Sequence, residues 1–219
     1  MAVPETEVSR DQYDPDCTRC PRLAAHLAAV REKRPDYHAL PVPPFGDPEA
    51  SLLIVGLAPG MHGANRSGRP FTGDFAGILL YRALYDAGFA SRPESVFVDD
   101  GLELTNCRIT NAVKCLPPQN KPTTAEVDEC SPYLQAELGT VGEGGVVLAL
   151  GSIAHRAVLK AFSMKLNANG FGHGAEHALP GGLTLLDSYH CSRYNTQTRR
   201  LTEEMFHAVI GRARELVGG

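Results

Sequence analysis

Four cysteines and three polar loops carry the residues with the most telling chemistry. Cys17-Thr-Arg-Cys20 is a Cys-x-x-Cys pair, and Cys115 and Cys130 follow far downstream with fourteen residues between them. Two thiolates at the first spacing reach one metal centre, and four suit either tetrahedral zinc or a [4Fe–4S] cluster. The competing reading leaves Cys17 and Cys20 in a flexible leader, with Cys115 and Cys130 as ordinary buried thiols. Cys107 and Cys191 are read as such thiols, not as ligands. If the site is real, it ties the leader to the middle of the chain. That role is structural, and nothing in the spacing implies redox catalysis.

The loops hold the other candidates. Asp74 ends a Gly-rich stretch and stands where the helical segment FAGILLYRALYDAG needs its N-cap. The positive end of a helix also favours an ionised carboxylate there. Gly56, Pro59 and Gly60 suit a tight turn in which backbone N–H groups come close to a ligand. Asn111 offers a donor and an acceptor on one planar group, and His190 directly follows a buried strand.

These residues must be positioned by something, and the hydrophobic pattern says what. Residues 51–57 (SLLIVGL) and 145–150 (GVVLAL) are nearly continuous apolar runs, the pattern of strands buried on both faces of a parallel sheet. Further strands are expected at 107–113 and 183–187, and helices at 23–34, after Asp74 to Gly88, from the Thr123/Glu126 capping box to about 137, at 152–162 and at 201–216. Residues 41–48 read as an irregular connection. This alternation describes a three-layer α/β/α sandwich around a central, mostly parallel four-stranded sheet, in one domain over residues 1–219 with 1–15 as a loose leader. The three loops then fall at the carboxyl ends of the strands, where α/β sheets bind ligands.

Bulk properties narrow the partners. A hydrophobic fraction of 43% fits a folded chain, and no run approaches a membrane span. The first thirty residues lack the build of a signal peptide, so a cytoplasmic location with reduced thiols is expected. A net charge of −4 argues mildly against nucleic acid, but a local patch suffices for a few nucleotides. Arg66 with Arg69, and Arg193 with Arg199 and Arg200, are the candidate patches.

Taken together, GLAPGMHGANRSGRPFTGD (56–74), NAVKCLPPQNKPT (111–123), SYHCSRYNTQT (188–198) and the Cys17/Cys20 pair resemble the type 5 iron–sulfur uracil-DNA glycosylases, in order and over nearly the whole chain. Leu57, where the type 4 motif has Glu, and the long insert before Pro70-Phe71 favour type 5 over type 4. The resemblance implies the uracil-DNA glycosylase fold and a [4Fe–4S] cluster on Cys17, Cys20, Cys115 and Cys130. It also implies monofunctional excision of uracil, hypoxanthine and xanthine from DNA that carries deaminated bases, by a protein expected to be a monomer.

By the same resemblance Asp74, Asn120 and His190 are catalytic, with Asp74 orienting water or stabilising an oxocarbenium-like state while still capping its helix. His190 would donate to uracil O2. Gly60, Phe71 and Asn111 would hold the flipped base, Phe71 by stacking and Asn111 by reading its edge. Asn65, Arg66, Arg69, Ser192, Arg193, Asn195 and Gln197 would contact DNA, the residues from 192 to 197 entering the duplex. A uracil-specific type 4 enzyme and a non-catalytic zinc-stapled nucleic-acid binding module are the readings to be told apart from it. A relative that traps the sugar through a histidine would need an extra basic insert, which is not evident.

Overall fold

The computed structural model describes residues 9–218. Its centre is a sheet of six strands, not four: β1 (Phe45–Gly46), β2 (Leu52–Gly56), β3 (Cys107–Asn111), β4 (Val146–Leu150), β5 (Glu176–Ala178) and β6 (Thr184–Ser188), in the order β1-β3-β2-β4-β6-β5. The four inner strands are mutually parallel, and they are the four expected from the sequence. Both additional strands are antiparallel edge pairings of two and three residues, only partly buried. Strands so short and so exposed leave no period to read, and β1 falls in the stretch read as irregular.

Helices cover both faces. On one side α3 (Phe75–Asp86) and α7 (Glu203–Val217) bury Leu80, Leu84, Phe206 and Ile210 against Ile54, Leu148 and Leu186. On the other, α4 (Thr124–Leu138) and α5 (Ser152–Ala161) bury Leu134 and Val158 against Leu53, Val147 and Leu185. A third cluster packs Leu23, Leu27 and Val30 of α1 (Pro21–Lys33) beside Cys115, Cys130 and Tyr133. Two short helices that the pattern did not announce, α2 (Ala64–Ser67) and α6 (Arg193–Gln197), lie inside the polar loops.

Local signals explain how the elements are held. The capping box forms: the Glu126 N–H donates to Thr123 Oγ1 and the Thr123 N–H to Glu126 Oε2. The same carboxylate takes the Arg22 guanidinium at 2.6–2.7 Å and so ties α4 to α1. Part of the expected loose leader is docked. Residues 1–8 lie outside the described residues, but Gln12 is buried and Tyr13 Oη donates to the Pro41 carbonyl at 3.0 Å. Among the described residues no helix is long and apolar enough to cross a membrane.

One polar pair lies under the sheet. Arg108 Nε donates to Glu137 Oε2 at 2.7 Å, and both side chains are almost wholly buried. Removing one partner strands the other charge in a low-dielectric interior. Arg108→Met is therefore expected to cost about 3 kcal/mol in urea unfolding, with much of the loss recovered by adding Glu137→Leu.

Candidate active site

Because β2, β3, β4 and β6 run the same way, their carboxyl ends share one edge of the sheet. A cavity of about 470 Å³ opens there, and it gathers Gly60, Phe71, Asp74, Asn111, Asn120 and His190 from the three polar loops. These are the six residues assigned to catalysis and base binding on the basis of the sequence.

Register sets the first contact. Gly56 at the end of β2 is paired with Asn111 at the end of β3. A Cβ on residue 56 would overlap Asn111 Oδ1 and lie 2.8 Å from Phe71 Cζ. The missing side chain lets an amide edge and an aromatic face stand next to each other, a fit for a flat heterocycle. Phe71 itself has φ +53°, a left-handed conformation uncommon outside glycine. The turn is steadied by Tyr81 Oη, which donates to the Pro70 carbonyl at 2.7 Å. The Phe71 ring lies 6.0 Å from the His190 ring at 33°.

Asp74 is the N-cap of α3, its Oδ1 accepting the Gly77 N–H at 2.8 Å. Its other oxygen lies toward Gly63, where a Cβ would sit 2.7 Å from Asp74 Cβ and overlap Oδ2. Oδ1 is thus engaged by the helix, while Oδ2 lies against Gly63. The helix end alone does not decide the charge. Burial raises the Asp74 pKa, and the Gly77 and Ala76 peptide groups only partly offset it.

His190 follows β6. Its Nδ1 is buried with no partner among the described residues, and burial lowers the imidazole pKa to about 4. The ring is therefore neutral at physiological pH. Asn120 ends a 3₁₀ turn at Pro118–Asn120, with φ +56°, on the exposed rim.

The structure divides the expected DNA contacts. Arg66, Arg193 and Gln197 are exposed on the loops around the cavity, and Ser192 caps α6 by accepting the Asn195 N–H at 3.4 Å. Asn195 turns inward, its Nδ2 donating to the His190 carbonyl at 2.8 Å. Two of the expected contact residues are buried. Asn65 is 0% exposed. Arg69 is buried beside Asp100 at 2.8 Å and Ser95 at 3.0 Å, with its guanidinium 4.5 Å from the Phe45 ring centre. Its charge is consumed inside the protein. The cavity also recruits Phe171 and Tyr189, which the sequence did not single out. Tyr194, 71% exposed in α6, was overlooked although an uncovered aromatic in a polar motif is a readable signal.

The four cysteines converge. Cys17, Cys20, Cys115 and Cys130 line one small cavity between the start of α1 and the middle of α4, while Cys107 and Cys191 are buried elsewhere. Among the described residues, no three cysteine sulfurs lie within 4.8 Å of one another, the sole trio of ligand-type residues that close being His155, His177 and Asp187. Tetrahedral zinc with bonds of about 2.3 Å would draw its sulfurs to roughly 3.8 Å apart.

Fold and site together define an α/β protein whose cavity sets an aromatic face and an amide edge beside one carboxylate and one neutral imidazole. The model of the uracil DNA glycosylase superfamily matches residues 43–214, and the chain belongs to that superfamily. Within it the chain belongs with the type-5 enzymes. It is 51% identical over 207 residues to the type-5 uracil-DNA glycosylase of Thermus thermophilus, covering 92% of this chain and 94% of that one. Identity to the type-5 enzyme of Pyrobaculum aerophilum is 45% over 202 residues, covering 90% and 88%. A type-4 uracil-DNA glycosylase of Saccharolobus solfataricus is 32% identical over 174 residues, covering 77% and 74%.

The neutral His190 has a consequence for stability. An unfolded histidine takes up its proton near pH 6.5, whereas the folded one does so only near pH 4. Below pH 6.5 the unfolded state therefore binds more protons, and stability falls as pH drops from 6.5 toward 4. Urea unfolding at a series of pH values is expected to show that decline, and His190→Gln to flatten it.

Proposed function

We propose that this protein is a DNA glycosylase that flips uracil and other deaminated bases, hypoxanthine and xanthine among them, out of DNA and hydrolyses the N-glycosidic bond. The observation that carries this reading is the meeting, in one cavity, of the Phe71 face, the Asn111 amide, the Asp74 carboxylate and the neutral His190.

A flipped base stacks on Phe71 and presents its edge to Asn111. As the glycosidic bond breaks, negative charge moves to the base and positive charge to the sugar. A neutral imidazole supplies a proton donor to the base carbonyl without needing acid. Asp74, with one oxygen anchored by the helix, keeps the other for orienting water or for facing the cationic sugar. Asn120 on the rim supports substrate or water. Arg66, Arg193 and Gln197 are placed for the backbone or the orphaned partner base, and Tyr194 is the side chain best exposed to enter the duplex. Leu57 gives the cavity an apolar wall, which supports a tolerance for bases beyond uracil.

Single-turnover excision from oligonucleotides with one defined lesion tests this reading. Asp74→Asn is expected to lose about a hundredfold or more in rate with an unchanged melting curve. A wild-type rate would falsify its assignment. Asn111→Ala should depress uracil excision more than hypoxanthine excision, and an unaltered ratio removes Asn111 from base reading.

The cysteine quartet is assigned to a [4Fe–4S] cluster. Cys17 and Cys20 would supply two thiolates from the start of α1, Cys115 and Cys130 the others, and the cluster would fasten the amino-terminal segment to the sheet. The convergence of all four cysteines on one small cavity and the likeness to type-5 enzymes support this reading. Anaerobically purified protein is expected to be brown, with absorbance near ~400 nm and bound iron and sulfide. Cys115→Ser should lose both, and zinc in place of iron overturns the assignment.

A further inference from the structure

Strand β6 ends at Ser188, so ladder pairing stops two residues short of His190. The chain that presents His190 is held by side chains instead. Asn195 Nδ2 binds the His190 carbonyl from one side. From the other, the Tyr189 peptide N–H donates to His173 Nδ1 at 3.2 Å. The His173 and Tyr189 rings are stacked, 5.1 Å between centroids at 19°, and the Arg200 guanidinium lies 4.7 Å from the centre of the Tyr189 ring.

His173 is itself anchored at both flanks, and to the same strand. The Gly172 N–H donates to Asp187 Oδ2 at 3.3 Å and the Gly174 N–H to the Asp187 carbonyl at 2.8 Å, while the Asp187 N–H donates to the Ala175 carbonyl at 2.9 Å. The fully buried Asp187 carboxylate is held by His155 Nδ1 at 2.8 Å and His177 Nε2 at 3.2 Å. His155 Nε2 reaches the Asn169 carbonyl at 3.0 Å, pinning the start of the same segment. Residues 169–177 are thus fastened to the strand that carries His190, and His173 projects from the middle of them toward Tyr189.

A peptide N–H can only donate, so His173 Nδ1 must be an unprotonated acceptor. Burial, which lowers the pKa of this ring, favours that state. His173 does not line the cavity, so it acts through what it holds. We propose that His173 is a positioning residue for base excision: by accepting the Tyr189 peptide N–H it fixes the turn that aims His190 into the cavity. The inference rests on the reading of His190 as the group that touches the base.

Two variants separate the hydrogen bond from the ring stack. His173→Phe keeps an aromatic on Tyr189 but has no acceptor. His173→Asn loses the ring and keeps an acceptor near the Nδ1 position. Each is measured for single-turnover excision of uracil, and for affinity toward an oligonucleotide with a non-hydrolysable uracil nucleotide, in wild-type and His190→Ala backgrounds.

His173→Phe is expected to slow excision about tenfold or more, with affinity within about twofold of wild type. His173→Asn should recover most of the rate. In the His190→Ala background, itself slow, His173→Phe should cost nothing further. A wild-type rate for His173→Phe, or an equal loss in both backgrounds, overturns the proposal. A wild-type rate for His190→Ala alone instead overturns the reading beneath it. If the phenylalanine variant does not fold, His173→Ala against His173→Asn gives the same contrast.

Discussion

The pairing of Gly56 with Asn111 at the carboxyl ends of two adjacent parallel strands is the constraint on which the site depends. Strands in a ladder sit about 4.8 Å apart, so the loops that leave them start side by side and cannot drift. With no side chain on residue 56, the Asn111 amide and the Phe71 ring close the gap. A slip of one residue in this register would turn Asn111 to the opposite face of the sheet. The fully buried strands β2, β3 and β4 resist that slip, so the core and the cavity are set by one alignment.

Around that frame, polar groups are used where the backbone ladder has ended. Asp74 gives Oδ1 to the α3 amino terminus. Asn195 and His173 take hold of the chain on either side of His190. Asp187, one residue from the end of β6, ties the 169–177 segment to the sheet with its carboxylate and its main chain. Each of these groups is buried or partly buried, where a hydrogen bond is strong and a missing one is costly.

Charge follows the same logic. The protein carries a net charge of −4, and one of the arginines nearest the cavity, Arg69, is spent on Asp100 inside the fold. Exposed cations sit on all three polar loops, Arg66 on the first, Lys121 beside Asn120 on the second, and Arg193, Arg199 and Arg200 on the third.

Much of this was legible in the order of residues. Continuous apolar runs marked two of the four parallel strands, β2 and β4, the α/β alternation suggested the other two, the Thr123/Glu126 box marked the start of α4, and the position of Asp74 marked the start of α3. Those signals are local, because periodicity and capping involve residues a few positions apart. The motif loops likewise named the six residues that now share the cavity. What the sequence could not disclose was which way a side chain turns. Asn65 and Arg66 are neighbours, yet one is sealed in the interior and the other is exposed. Arg69 looked like a phosphate ligand until its partner Asp100, thirty-one residues on, was placed against it. The edge strands, the Phe171 wall and the His173 contact to Tyr189 arise between segments distant in the chain, through bonds that leave no repeat in the sequence. The amino-acid order therefore determined the elements and the chemical inventory of the site. Only tertiary packing decided which of those groups face the cavity and which are consumed in holding it together.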